Sequence, residues 1–254
     1  MQKSLEGRHA LITGGGSGIG AAAAVALGNA GAGLSLLGRR MEPLEKVAAQ
    51  TGGRAFQCDV TADGAIDRAF AEARSANGPI DILVVNAGIA ESAPFHKMTR
   101  DAWDRIIGTN LTAAFDCARA GIGDLLQSDN GRLVFIASVA SIKGIPYAAH
   151  YGASKHGLLG LSRSLAAEYA RTNLTVNAIC PGYVDTPMTD QSVARVAQVT
   201  GRDEAASRIA IKNMNASGRL VDPAAIANMI LMLCLPLSRD ITGAALTIDG
   251  GTSA

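Results

Sequence analysis

The chain has 254 residues, 48% of them hydrophobic and 18% charged, with a mean hydropathy of +0.19, which excludes a disordered tail or linker. Its 23 Lys and Arg are scattered against 22 Asp and Glu for a formal net charge of +1, which argues against nucleic acid as a partner. No apolar stretch reaches the ~18 residues of a membrane span, and no Pro/Ser-rich or charged linker divides the sequence, so residues 1–254 are expected to form one domain off the membrane.

Short apolar runs of β-leaning residues alternate with longer Ala-rich segments of helical period, the pattern of a parallel sheet covered by helices on both faces. The spacing predicts strands at 9–12, 34–37, 54–57, 82–85, 132–137, 175–179 and 245–248. Helices are expected near 18–31, 42–50, 62–76, 99–126, 151–171 and 223–233. The expected fold class is therefore α/β, a Rossmann-like doubly wound parallel sheet. Residues 189–220 break this rhythm: they are polar, with Val193, Val196, Val199, Ile209 and Ile211 at loose helical spacing, and read as a substrate-loop insertion over a site. Cys58, Cys117, Cys180 and Cys234 lie far apart with no CxxC, which predicts reduced, mostly buried thiols and a cytoplasmic protein.

The first strand runs into Thr13-Gly14-Gly15-Gly16-Ser17-Gly18-Ile19-Gly20, and a helix starts at once. Backbone N–H groups at a helix N-terminus make a phosphate seat, and glycines keep side chains out of the path of a pyrophosphate. A dinucleotide site is expected here, with Gly14, Ser17, Gly18, Ile19 and Gly20 in contact and a close helix–strand approach at Gly20. The second strand ends Gly38-Arg39-Arg40, with no carboxylate for a ribose 2′-OH and two guanidiniums for a 2′-phosphate. That favours NADP(H), with NAD(H) as the alternative if the arginines are solvated or stack on adenine. Asp59-Val60 and Asn86-Ala87-Gly88 follow the third and fourth strands, at the carboxyl ends where ligands lie in open sheets.

Tyr151 and Lys155 stand at i and i+4, one turn apart on a helix face. A tyrosine titrates near ~10, so proton transfer near neutrality needs a neighbouring positive charge, which Lys155 can supply. Ser138, just after the fifth strand, can bring its hydroxyl to the same rim. His150, His156 and Trp103 read as rim or core residues, and Met188 and Met214 as gap-fillers or pocket lining.

Taken together, TGGGSGIG at residues 13–20, Asp59-Val60, Asn86-Ala87-Gly88, Asn110, Ser138, Tyr151-Gly152-Ala153-Ser154-Lys155 and Pro181-Gly182 with Thr186 resemble the short-chain dehydrogenase/reductase family over nearly the whole chain. The resemblance implies that Tyr151 is the general acid/base, that Ser138 polarises a carbonyl, and that Lys155 assists Tyr151 and bonds the nicotinamide ribose. It implies that Asn110 holds a water linking Lys155 to solvent, and that Pro181, Gly182, Val184 and Thr186 reach the nicotinamide. Departures are small: the usual double asparagine before Ala-Gly reads Val85-Asn86.

The substrate pocket is expected to include Ser138, Ala140, Tyr151 and Tyr183, with no metal. Within the family the sequence is similar to bacterial 3-oxoacyl thioester reductases and 3-hydroxyacyl dehydrogenases, which implies a 3-oxoacyl or other small or aryl ketone and its secondary alcohol. The family also implies a homotetramer built on the long helices and the last strand. The competing reading is a non-catalytic dinucleotide-binding regulator on the same fold, which would not need Ser138, Tyr151, Lys155 and Asn110 together.

Overall fold

The computed structural model describes residues 3–254. Seven strands form one parallel sheet in the order β3-β2-β1-β4-β5-β6-β7. They are β1 (His9–Thr13), β2 (Gly33–Gly38), β3 (Arg54–Gln57), β4 (Ile82–Val85), β5 (Arg132–Ile136), β6 (Thr175–Pro181) and β7 (Ala245–Ile248). Every pairing is parallel, for example Leu11 with Ser35 on one side and Leu83 on the other.

The central strands read as unbroken apolar runs because both faces are buried. Ala10, Ile12, Val84, Val134 and Ile136 join a core with helices α1 (Gly18–Asn29), α2 (Met41–Thr51) and α9 (Pro223–Cys234). Leu11, Leu83, Leu133 and Phe135 face the other way, onto α3 (Ala65–Asn77), α5 (Ala113–Gln127) and α6 (Ala149–Glu168). Phe70 and Phe135 are wholly buried there, each worth about 1.5–3 kcal/mol of transfer free energy. All four cysteines are unpaired and buried, and burial pushes the thiols of Cys58 up to about 11 and Cys234 up to about 12.

Three expected elements differ. The helix expected over 99–126 is two, α4 (Arg100–Ile107) and α5, joined by a π-helical turn at Gly108–Thr112. Gly108 and the β-branched Thr109 and Thr112 weaken the α ladder there, and the bulge turns Asn110 into the interior. The helix expected from 62 starts at Ala65, because the Asp59 carboxylate accepts from the Thr61 N–H (3.0 Å) and holds a turn, and Gly64 takes φ +67°. The insertion over 189–220 holds two helices, α7 (Pro187–Thr200) and α8 (Glu204–Lys212). Met188 and Met214 are 39% and 50% exposed, so neither fills a core gap. Trp103 is only half-buried. Among the described residues no helix is long and apolar enough to cross a membrane.

β1 is followed outward by β2 and β3, while β4 lies on its other side, so the winding reverses between β1 and β4. Loops leaving the carboxyl ends of these strands diverge there and open a crevice.

Candidate active site

The turn between β1 and α1 lies at that crevice, with the N-terminal amides of α1 above it and no acidic side chain in the helix's first turn to compensate the dipole. Gly14 has φ +67°, and a Cβ there would stand 2.8 Å from Asn86 Nδ2. A Cβ on Gly20 would lie 2.2 Å from the Gly14 carbonyl oxygen, the close approach expected at that position. Ser17 is the exposed N-cap, and Ile19 packs against the α1 side of the core. The Asn86 amide is spent on the turn: Nδ2 donates to the carbonyls of Thr13 (2.9 Å) and Gly14 (3.2 Å). The N–H groups of Asn86 and Ala87 both donate to Thr13 Oγ1, so β1 and β4 are locked together at their ends.

A cavity of about 450 Å³ runs from the turn across the ends of β2, β3 and β4. Gly14, Ser17, Ala87 and Gly88 line it on the β1–β4 side, and Arg39, Arg40, Asp59 and Val60 on the β2–β3 side. The bond from the Thr61 N–H, followed by that from the Thr61 hydroxyl (2.7 Å), holds the Asp59 carboxyl below its usual range, with Arg39 adding to it. Both arginines are exposed at the cleft. A side-chain-free turn under a helix N-terminus, leading to two guanidiniums, fits a dinucleotide phosphate by charge and by space. Ile89, Arg105 and Gly108 also line the cavity, and the sequence pattern did not single them out.

Beyond the turn, two residues past the end of β5, Ser138 caps the short turn Val139–Ser141: its Oγ accepts from the Ala140 N–H (3.1 Å), and its own N–H donates to Ser141 Oγ (3.3 Å). Tyr151 and Lys155 descend from the first turns of α6. Burial raises the Tyr151 phenol above its ordinary value, while a hydrogen bond with Ser138 pulls it back. Lys155 Nζ lies 5.8 Å from the centre of the Tyr151 ring and donates to the Ile136 carbonyl (2.9 Å). Burial pushes this ammonium down to about 8. The lowering of the phenol expected from Lys155 at i+4 is not found here: what opposes desolvation is the Ser138 hydrogen bond.

Asn110, 1% exposed, clamps Ile89: its Oδ1 accepts from the Ile89 N–H (2.8 Å), and its Nδ2 donates to the Ile89 carbonyl (2.9 Å) and to Ser154 Oγ (3.2 Å). A Cβ on Gly88 would meet Asn110 Oδ1 at 3.2 Å and Lys155 Nζ at 3.8 Å, so glycine turn, π-helical turn and α6 converge on one point.

The segment after β6 closes the other side. A Cβ on Gly18 would touch Thr186 Cγ2 at 3.0 Å, which sets Thr186 against the glycine turn. Pro181 and Val184 are buried, and Gly182 donates to the Ile248 carbonyl at 3.1 Å. Tyr183 is half-buried and close enough to raise the Tyr151 phenol electrostatically. Ala140 is 1% exposed and forms wall rather than open surface. His150 is buried under Tyr151, and its Nδ1 accepts from the Tyr151 N–H at 2.9 Å. His156 is exposed and bonded to the Gly152 carbonyl of its own helix.

Over the rim, the Ala93 N–H donates to the Tyr147 carbonyl (2.8 Å), and Arg195 of α7 donates to the Ser92 carbonyl (3.1 Å). Tyr147 takes φ +63° and leaves its ring 67% exposed.

Comparison with known proteins adds to this geometry. Residues 14–253 match the family model described as enoyl-(acyl carrier protein) reductase. The chain is 35% identical over 231 residues to the 3-oxoacyl-[acyl-carrier-protein] reductase MabA of Mycobacterium tuberculosis, covering 88% of this chain and 89% of the relative. It is 37% identical over 246 residues to the acetoacetyl-CoA reductase of Shinella zoogloeoides, covering 96% and 98%. A crystal structure of a variant actinorhodin polyketide ketoreductase with NADPH superposes with a TM-score of 0.93 at 32% identity, covering 100% of this chain and 99% of that one.

Proposed function

The chain belongs to the short-chain dehydrogenase/reductase family, and from that premise we propose that it reduces the ketone of a 3-oxoacyl thioester, or another small or aryl ketone, with NADPH. It is a nicotinamide-dinucleotide-dependent oxidoreductase that interconverts a ketone and its secondary alcohol. The observation that carries the reading is the meeting of Ser138, Tyr151 and Lys155, with Lys155 next to Gly88 at the wall of the cleft that reaches Arg39 and Arg40. The relatives named above supply the substrate class.

In this reading Ser138, held by its cap geometry, donates to the substrate carbonyl and orients it. Tyr151 gives its phenolic proton to the developing alkoxide, and takes it back in oxidation. Lys155 bonds the nicotinamide ribose and stabilises phenolate. The bound nicotinamide supplies the hydride and, when oxidised, a positive ring that favours phenolate. Because the Asn110 side chain is committed to Ile89 and Ser154, its part in holding a water falls to its main chain in the π-helical turn. Pro181, Gly182, Val184 and Thr186 flank the nicotinamide. Gly14, Ser17, Gly18, Ile19 and Gly20 carry the pyrophosphate, braced by Asn86. Asp59, Val60, Ala87 and Gly88 line the adenosine side, and Arg39 with Arg40 takes the 2′-phosphate.

The protein is proposed to work in the cytoplasm as a homotetramer paired through α5 and α6, where Phe115 stands 48% exposed. The test is absorbance at 340 nm with NADPH or NADH against acetoacetyl thioesters, aryl ketones and cyclic ketones. Turnover with NADPH and a thioester or aryl ketone is expected, and Arg39→Asp shifts the preference toward NADH by ~10-fold or more, a salt-bridged phosphate contact being worth about 1.5–3 kcal/mol. Dinucleotide binding with no turnover across the panel overturns the enzyme reading in favour of a regulator. An unchanged cofactor ratio removes Arg39 from phosphate recognition.

A further inference from the structure

Between α8 and α9 the chain makes an open turn in which every residue from Lys212 to Arg219 is exposed except Asn215, at 1%. The Asn215 side chain reaches inward to the strand that leads out of β6. Its Oδ1 accepts from the Tyr183 N–H at 2.9 Å, and its Nδ2 donates to the carbonyls of Tyr183 (2.8 Å) and Arg219 (2.7 Å). One side chain thus pairs both main-chain polar groups of Tyr183, as a neighbouring strand would.

It does so where the sheet stops. The β6–β7 ladder ends at Pro181 opposite Ile248, and Asn215 takes over two residues later. The approach leaves no room for a side chain between: a Cβ on Gly182 would stand 2.6 Å from Asn215 Oδ1 and 3.0 Å from Asp249 Cα. The Tyr183 carbonyl also accepts from the Val221 N–H at 2.8 Å, and the Asp185 N–H donates to the Val221 carbonyl at 2.9 Å. An acceptor and two donors in one rigid plane are what asparagine offers. Aspartate would turn a carboxylate toward two carbonyl oxygens, and an apolar replacement would orphan buried main-chain groups.

Tyr183 is the group that this clamp delivers: its segment leaves β6 beside the end of β5, where the Ala137 N–H donates to the Ile179 carbonyl at 2.8 Å just before Ser138, and it runs on to Thr186 against Gly18 of the glycine turn. We propose that Asn215 is a positioning residue for hydride transfer: by fixing the main chain of Tyr183 it sets how this residue is presented at the rim that carries Ser138 and Tyr151, and so the placement of the substrate carbonyl. The inference rests on the reading of Tyr151 as the acid. Asn215 touches neither the glycine turn nor the arginines, so its loss leaves the phosphate-binding end of the dinucleotide site in place. Misplacement by about 1 Å costs on the order of 10²-fold in rate.

The experiment compares Asn215→Ser and Asn215→Asp with the wild-type protein, using the best ketone and NADPH, and adds NADPH deuterated at the transferred position. For the folded variants kcat is expected to fall on the order of 10²-fold while the KM for NADPH stays within about twofold, with a larger isotope effect on kcat as the chemical step becomes limiting. In a Tyr183→Ala background the further effect of Asn215→Ser is expected to shrink to less than about threefold, since the two act as one unit. Asn215→Ser is the gentler change and serves if Asn215→Asp fails to fold. The inference is overturned by unchanged kcat in the folded Asn215→Ser protein. A loss that tracks NADPH binding, or an undiminished effect in the Tyr183→Ala background, overturns it equally. A wild-type protein without turnover on any ketone instead rejects the reading on which it rests.

Discussion

At the amino ends of β1, β4 and β5 most polar groups find their partners within the chain, the Arg132 Nε excepted, whereas at the carboxyl ends of the same strands polar groups line a cleft. At the amino end Asp81 accepts from Arg8, from the His9 N–H and from the Ser128 hydroxyl. Asp124 accepts from Arg74 and from the Ile80 N–H. Arg132 is 1% exposed with carbonyls of Gly131, Asn173 and Leu235 and the Asn130 amide oxygen around its guanidinium, so it covers the C-terminal end of α9. At the carboxyl end the buried Lys155 holds a single carbonyl, and the first turn of α1 has neither a side-chain cap nor an acidic residue. One end of the sheet spends its polarity on stability, and the other keeps it for a ligand. The reason is topological: strands are entered at one end by loops that pack flat, and left at the other by loops that diverge.

Three measurements would break or sharpen that contrast. The largest effect is expected at the carboxyl end, where Tyr151→Phe lowers kcat at least ~100-fold, the lower range for general acid catalysis, while NADPH affinity and the midpoint of unfolding stay put. A fall in stability of the same size as at the amino end would erase the distinction. Next comes Arg132→Met, which leaves buried carbonyls unpaired but also relieves the desolvation of a charge. Denaturant titration is expected to show a net loss of about 2 kcal/mol with kcat unchanged. Unaltered stability would mean that this guanidinium is dispensable.

The smallest is a pH effect. His9 is buried, with Nδ1 against the Gly78 carbonyl and Nε2 against Ser35 Oγ, both at 2.8 Å, and burial lowers its pKa. The folded protein therefore takes up this proton at lower pH than the unfolded chain, whose histidine titrates near ~6.5. Between the two values the unfolded chain holds more protons, so stability is complete above ~6.5 and is lost as pH falls below it. His9→Gln is expected to reduce the difference in unfolding midpoint between pH 7.5 and pH 5. It does not abolish it, because His150 is shifted the same way. An identical pH dependence in the variant would show that His9 is not a contributor.

Much of this was legible in the sequence because parallel strands buried on both faces must be apolar throughout, and glycine turns, Tyr-x-x-x-Lys and strand-end residues are local signals. Strands β3, β4 and β7 occupy the residues expected from apolar runs alone. What escaped was set by distance in space. Gly108, Thr109 and Thr112 weaken the helix locally, but the bulge is fixed by Asn110 reaching Ile89, which lies 21 residues earlier. Asn215 and Tyr183 are 32 residues apart, with no spacing rule to join them. The α7–α8 segment showed apolar residues at helical intervals, but its polarity read as an insertion.

The sequence by itself determined the seven strands, the glycine turn that opens α1 and the chain positions of the Tyr151 phenol, the Ser138 hydroxyl and the Lys155 ammonium, because each is written in residues close together along the chain. The tertiary structure alone decided the state of those groups. Burial lifts the Tyr151 phenol and pushes Lys155 down to about 8, the Asn86 and Asn110 amides are turned to bracing, and Asn215 takes over where β7 ends. Desolvation and hydrogen-bond satisfaction depend on what surrounds a group in three dimensions, and neighbours along the chain do not report that.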